Sequence, residues 1–519
     1  MVQNIVLQDF DISPRTGFLP EEPPLQRLPD PYYEPWENVV NELTHLLLAG
    51  RLREKVLKLP ILDISRLGSE REYQRAFVIL SMLGHAYVWG KHELVCEILP
   101  ASLAIPWVKI ADHLNMCPVV CHAAVVLWNW RLIFPEDPIN LSNLATLHTY
   151  TGSTDESWFY LVTTAIEATG APALQAIVDA IDAANGEHTE KVINCLQEIR
   201  EALVRMTETI LRMYERCDPY FFYWKLRPYL AGWENMAEAG LPYGLIYEGI
   251  TWKPHENGKE DGGENNPNGK QEEDEEAFLK RYRRYAGGSA AQSALIHALD
   301  IALGVEHYPT GERPNYPNKS PAPNDRYNAL NDSTESKVTH GNNFIERMRQ
   351  YMPGPHRRFL ERLRQVSNIR AFVERSDCSK LRAAYNECLQ QLRVFRDKHV
   401  QMVTLYIVIQ SRRGPSISHG GFAIAHGTEA AKQNVAPPLP TSDGLEADEQ
   451  GKQSKSASQH NFLYPQTVLS TSPPSTQQPP SLARRLSASA SIIRGTGGTN
   501  VIPFLQQARD ETSEAKILD

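Results

Sequence analysis

Apolar residues recur every three or four positions through much of this chain, and the longest such stripe begins at Leu381. In LRAAYNECLQQLRVFRDKHVQMVTLYIVIQSRR, the positions Leu381, Tyr385, Cys388, Leu392, Phe395, Met402 and Tyr406 fall on one helix face. His399 lies on the same stripe, between Phe395 and Met402. A histidine facing a dry interior must be satisfied by a hydrogen bond or by a metal. A second stripe, Val192, Cys195, Leu196, Ile199, Leu203, Met206, Ile210 and Met213, predicts an amphipathic helix in HTEKVINCLQEIREALVRMTETILRMYERC. SWFYLVTTAIEATGAPALQAIVDAIDAANG predicts the helix before it.

Nearer the N-terminus, ENVVNELTHLLLAGRLREKVLKL, EREYQRAFVILSMLGHAYVWG and CPVVCHAAVVLWNWRLI read as helices, divided by prolines at 60, 100, 106 and 118. Residues 1–35 are rich in proline and turn formers and predict an extended arm packed on a domain surface. No convincing run of alternating strand residues is present. The pattern therefore predicts an all-α protein. Its expected parts are a small N-terminal helical domain (1–133), a connecting segment (134–154) and a large helical domain (155–413). Flexible inserts are expected at about 255–283 and 309–340, and a disordered, Ser-, Gln- and Pro-rich loop over 414–492. Residues 493–519 then regain order as a flap and helix returning to the large domain.

Composition narrows the function classes. A chain of 519 residues with 42% hydrophobic content can bury a large core, and a net charge of −9 argues against nucleic acid as a partner. No apolar run approaches the roughly 18–20 residues that span a bilayer, so no membrane partner is expected. The N-terminus has no basic segment followed by an apolar one, so no secretory signal is read. Seven scattered cysteines suggest reduced thiols, and a cytoplasmic monomer is the expectation. Cys117-Pro-Val-Val-Cys121-His122 has one residue too many for the C-x-x-C-H attachment of a c-type haem, and packing thiols are the better reading.

Several constellations carry candidate chemistry. CDPYFFYWKLRPYLAGW is dense in aromatics around Arg227, five residues after Phe222; an aromatic core with a snorkelling arginine competes with a site for a planar, carboxylate-bearing ligand. Gly287-Gly288-Ser289 runs into a helix, where glycine permits close backbone approach and Ser289 can cap. Gly495-Thr496-Gly497-Gly498-Thr499 lacks the lysine of a phosphate loop and suits a flap that closes over a ligand. His356 follows a PGP break, while His297 and His122 sit in apolar helical stretches. No zinc-hydrolase or G-x-S-x-G motif appears.

Taken together these motifs resemble the indoleamine 2,3-dioxygenases. The likeness rests on GFLP…PPLQRLPDPYYEPWE, FFYWKLRPYLAGW, LIYEGI, AGGSAAQS, MRQYMPGPHRRFL, LRAAYNECLQQLRVFRDKHVQMVTLYI and GTGGT, in the family's order. The resemblance implies a haem b cofactor with His399 as proximal iron ligand, its other N–H meeting an acceptor. It implies Arg396 and Asp300 beside a haem propionate, and Gly288, Ser289 and Ala290 flanking the haem. Phe159 would stack on an indole, Phe222 and Thr163 would line the same pocket, and Arg227 would hold a carboxylate. Thr496, with Gly497, would close over the substrate. The implied reaction adds O2 to the indole C2=C3 bond of L-tryptophan, giving N-formylkynurenine for the kynurenine pathway and NAD biosynthesis, with an electron donor keeping the haem ferrous. The alternative is a low-turnover haem protein that binds, stores or senses O2. The chain departs from the family's animal members at three places: His122 replaces a tyrosine, Val125 a cysteine and Thr163 a serine. His122 is expected to hydrogen-bond or pack rather than ligate iron.

Overall fold

The computed structural model describes residues 5–90, 94–252, 278–310, 344–413, 495–496 and 500–517. Among the described residues eight helices run nine residues or longer: α1 (Glu70–Trp89), α2 (Ala101–His113), α3 (Thr154–Asn185), α4 (Thr189–Leu211), α5 (Ala294–Ala302), α6 (Gly354–Val366), α7 (Ser379–Val403) and α8 (Val501–Glu514). The fold is all-α, and the described residues belong to one contact unit.

Local chemistry starts the helices where the pattern predicts. Ser69 accepts the Glu72 N–H at the head of α1, and Ser153 accepts the Asp155 N–H at the head of α3. α3 and α4 pack along each other, α7 lies against α4, and α8 lies against α7. The stripes explain this order: Val192, Leu196, Ile199, Leu203 and Met206 of α4, and Leu381, Tyr385, Cys388 and Leu392 of α7, are fully buried. α5 crosses α3 at Gly170, where an added Cβ would stand 2.3 Å from a Leu295 methyl; only glycine allows that approach. By length and composition α3 is apolar enough to cross a membrane, although polar residues interrupt its apolar runs. Its most apolar stretch is 67% buried inside the fold, as in a core helix.

The arm packs on the domain: Ile12, Phe18 and Leu19 are buried, and Phe18 packs edge-on against Phe359 and His356 of α6. Other sequence expectations need correction. The expected helix after Pro35 is three short helices, Glu34–Asn41, Leu43–Leu48 and Leu52–Val56, with a break at Gly50, whose φ of +64° favours glycine. CPVVCHAAVVLWNWRLI is not one helix. It contains a π-helical turn (Ala123–Leu127) and then a strand, Trp130–Leu132, paired antiparallel with Leu144–Thr146 in the connecting segment. Pro118 and the β-branched and aromatic residues around it favour that outcome. A second small sheet joins Ile98–Leu99, Leu245–Tyr247 and Tyr282–Arg283. The insert at 309–340 and the loop at 414–492 lie essentially outside the described residues, as does most of the insert at 255–283.

Candidate functional site

A largely apolar cavity of about 290 Å³ opens between α3, α5, α7 and α8. Helical spacing puts Phe159, Thr163, Ile166 and Glu167 of α3 on one wall, and Phe395, Arg396, His399, Met402 and Val403 of α7 on another. Three π-helical turns, Ala123–Leu127, Phe222–Leu226 and Thr404–Ile409, supply Val125, Val126, Phe222, Tyr406 and Ile407. An inserted residue rotates the side chains that follow, which is how such turns re-aim groups at functional sites. The Phe159 and Phe222 rings lie 4.8 Å apart and the Phe222 and Tyr406 rings 5.8 Å, forming a continuous aromatic surface.

His399 faces this cavity. It is only half-buried by surface area although protein surrounds it, because its accessible surface belongs to the cavity. Burial, then the neighbouring Arg396, holds its pKa down at about 4, so near neutral pH it is an uncharged imidazole. Neither ring nitrogen has a hydrogen bond among the described residues. The acceptor expected for its second nitrogen is therefore not found among them.

Arg396 and Asp300 meet as expected. Arg396 Nη2 donates to both Asp300 carboxylate oxygens at 2.7 Å, and Nη1 donates to Thr512 of α8. Sequence reasoning missed the rest of this network. His307 Nε2 donates to Asp300 at 3.0 Å and its Nδ1 to Glu511 at 2.6 Å. Burial works to raise the Asp300 carboxyl, but Arg396 and His307 outweigh it and hold the pKa at about 2. For His307, burial pulls downward and the two carboxylates win, so its pKa is raised.

The Gly288, Ser289 and Ala290 backbone lines a further wall. Ser289 caps the short turn Ala290–Gln292, accepting the Ala291 N–H at 3.3 Å. The residue that must be glycine is Gly287: an added Cβ there would lie 2.1 Å from the Leu230 carbonyl oxygen, whereas on Gly288 it would meet Val120 at 3.8 Å. Thr496 clamps this segment, donating its hydroxyl to the Gly288 carbonyl and accepting the Gly287 N–H at 3.0 Å. Gly497 lies outside the described residues. The Thr163 hydroxyl bonds back to the Phe159 carbonyl at 2.9 Å.

Arg227 departs from expectation: it is buried but does not line the cavity. Its guanidinium carbon stands 5.2 Å from the Tyr223 ring centre. The π-helical turn ends at Leu226, and the following turn brings Leu230, not Arg227, to the wall. His122 does reach the wall, where its Nε2 pairs with Glu167 at 2.8 Å. His297 bonds the Ala291 carbonyl through Nε2 at 2.8 Å. His356 lies in the first turn of α6, directly after the Pro353 break, bonded to the Asp11 carbonyl at 3.3 Å. Cys117 and Cys121 are free thiols whose pKa burial pushes up to about 12.

A family profile described as indoleamine 2,3-dioxygenase matches residues 6–515. The chain belongs to the indoleamine 2,3-dioxygenase family. It is 32% identical to the indoleamine 2,3-dioxygenase of Saccharomyces cerevisiae, an alignment covering 98% of this chain and 93% of the yeast protein. It is 33% identical to a 6-hydroxytryptophan 2,3-dioxygenase of Fusarium equiseti (78% of this chain, 86% of that one) and 31% identical to indoleamine 2,3-dioxygenase 2 of Mus musculus (78% and 85%).

This family is generally haem-dependent, and the residues present fit that group. A neutral imidazole without a hydrogen-bond partner among the described residues projects into an apolar cavity, with a small-residue wall at Gly288–Ala291 and a charged pair at its rim. No group of three or more metal-ligating side chains occurs among the described residues, and a lone imidazole suits an iron whose remaining donors come from a macrocycle.

Proposed function

We propose that this chain is a haem-dependent dioxygenase that adds both atoms of O2 across the indole C2=C3 bond of L-tryptophan, giving N-formylkynurenine and feeding the kynurenine pathway toward NAD. The observation that carries the reading is His399, an uncharged imidazole with no hydrogen-bond partner among the described residues, on the wall of an aromatic cavity in a chain of this family.

When bound, the haem iron supplies O2 activation, chemistry that no side chain provides. The chain's own residues do the rest. His399 would hold the iron and Arg396 with Asp300 would face a propionate. Gly288, Ser289 and Ala290 would flank the ring. Phe159 and Phe222 would stack the indole and exclude water, with Thr163 shaping the floor. Thr496, whose hydroxyl donates to the Gly288 carbonyl, would close over the substrate. Arg227 would take the substrate carboxylate, which requires its guanidinium to leave Tyr223 and swing toward the cavity. An external electron donor keeps the iron ferrous, and the protein works as a cytoplasmic monomer. The parts 1–133 and 155–413 would act as small and large domains joined at 134–154.

One observation favours a second reading, a low-turnover protein that binds O2: Arg227 stands off the wall. A single assay separates the two. The purified protein is reduced anaerobically, its absorption spectrum recorded, and O2 and L-tryptophan added while N-formylkynurenine absorbance is followed. Turnover supports the dioxygenase, and a stable oxygenated spectrum without product supports the carrier. His399→Ala should lose the haem; a variant that keeps stoichiometric haem and an unchanged spectrum would refute the ligand assignment.

A further inference from the structure

The cavity wall contains a polar chain that the roles above leave unused. His122 Nε2 contacts Glu167 Oε1 at 2.8 Å, and the Ser293 hydroxyl donates to the same oxygen at 2.6 Å. All three residues line the cavity and all three are buried. The His122 backbone is fixed as well, its N–H donating to Gln292 Oε1 at 3.0 Å. A carboxylate only accepts hydrogen bonds, so in this pair the Nε2 of His122 is the donor. In the neutral imidazole that tautomer leaves Nδ1 with a lone pair, and Nδ1 has no hydrogen bond among the described residues. Glu167 Oε2 is enclosed and without a hydrogen-bond partner. Leaving a buried acceptor unmade is costly, and such an exception in a native fold calls for a reason beyond packing.

We infer that His122, oriented by Glu167 and Ser293, is a specificity-determining residue whose Nδ1 accepts a hydrogen bond from a donor on the substrate's ring system. The inference rests on the tryptophan reading of this cavity. The wall is largely aromatic and aliphatic around Phe159 and Phe222, built there to take a flat apolar ring without preference among rings of that shape. One fixed acceptor converts it into a wall that rejects rings lacking a donor, since an unmatched ligand leaves a buried nitrogen unpaired. The donor is either the indole N–H or a hydroxyl on the ring; both present the same chemistry to Nδ1. Glu167 acts through His122 and is a positioning residue.

The test is calorimetric binding to the ferric, full-length holoprotein, which reads affinity without turnover. The ligands are L-tryptophan, its benzothiophene analogue with sulfur in place of the N–H, and L-tryptophan hydroxylated on the benzene ring. The wild-type protein should bind tryptophan roughly 10- to 100-fold more tightly than the sulfur analogue. His122→Phe should bring the two within about 3-fold of each other. Glu167→Gln, which keeps the shape but removes the charge that polarises His122, should lose part of the difference. Should His122→Phe fail to fold because Glu167 is stranded, the double variant His122→Phe/Glu167→Gln removes that charge and answers the same question. A wild-type preference only for the hydroxylated ligand, abolished in His122→Phe, would support the inference with the hydroxyl as donor. Discrimination unchanged in the variants, or all ligands weakened equally, would overturn it, because a purely structural role gives those results. A haem-loaded wild type that binds none of the ligands would overturn the tryptophan reading itself, and the inference with it.

Discussion

Replacing Asp300 by asparagine should destabilise the fold by several kcal/mol and change how it responds to acid. Asp300 receives Arg396 Nη2 at 2.7 Å on each oxygen and His307 at 3.0 Å, with its side chain only 6% exposed. The fall of its pKa from 3.8 to about 2 corresponds to about 2 kcal/mol of native-state preference for the carboxylate. Asparagine keeps the shape but leaves Arg396 and a charged His307 facing a neutral group, and breaking a buried pair from one side costs about 3–5 kcal/mol. The loss at pH 7 should therefore lie at about 2–5 kcal/mol. The sign in acid follows from proton binding. The folded carboxyl holds its proton less tightly than the unfolded one, so its contribution is complete above about pH 4 and disappears as pH falls toward 2. Wild type should lose this increment across that window, and Asp300→Asn should not. Urea titrations followed by far-UV circular dichroism at pH 7 and stepwise down to pH 2.5 measure both quantities. A variant within about 0.5 kcal/mol of wild type at pH 7, or one with the wild-type acid slope, would refute the reasoning.

Further outcomes are expected at other positions. Gly287→Ala forces a Cβ against the Leu230 carbonyl and the Gly232 nitrogen, 2.1 and 2.3 Å away, and should cost at least about 1–3 kcal/mol in thermal denaturation. Gly288→Ala, with only Val120 nearby at 3.8 Å, should leave stability nearly unchanged. His85 donates to the Tyr229 carbonyl and accepts the Val120 N–H, each at 2.8 Å, and burial pushes its pKa down to about 3. Its contribution is present above about pH 6.5 and is lost as pH falls toward 3; His85→Leu should cost about 2–5 kcal/mol at pH 7 and flatten that slope in urea titrations. Arg227→Ala should raise the KM for tryptophan more than tenfold while haem content, read from the absorption spectrum, stays at wild-type level.

The period of the apolar stripes was enough to place α4 and α7, to aim their buried faces, and to put His399 on the inward side of α7. These are local properties, because a 3.6-residue period written in the side chains folds the same way wherever burial is available. The Ser289 cap was equally legible, since it joins residues two apart. What tertiary structure decided lies elsewhere. The three π-helical turns have no periodic signature; each is a one-residue slip set by neighbouring elements, and the slip at Phe222–Leu226 carried Phe222 to the wall and left Arg227 beside Tyr223. His307 meets Glu511 across 204 residues and His122 meets Glu167 across 45, pairings that no local pattern marks. Burial and neighbouring charges then set the protonation states, holding His399 neutral while the carboxylates around His307 raise its pKa. The chain by itself determined which faces go inward, whereas the packing of those faces determined which polar groups meet there and in what protonation state.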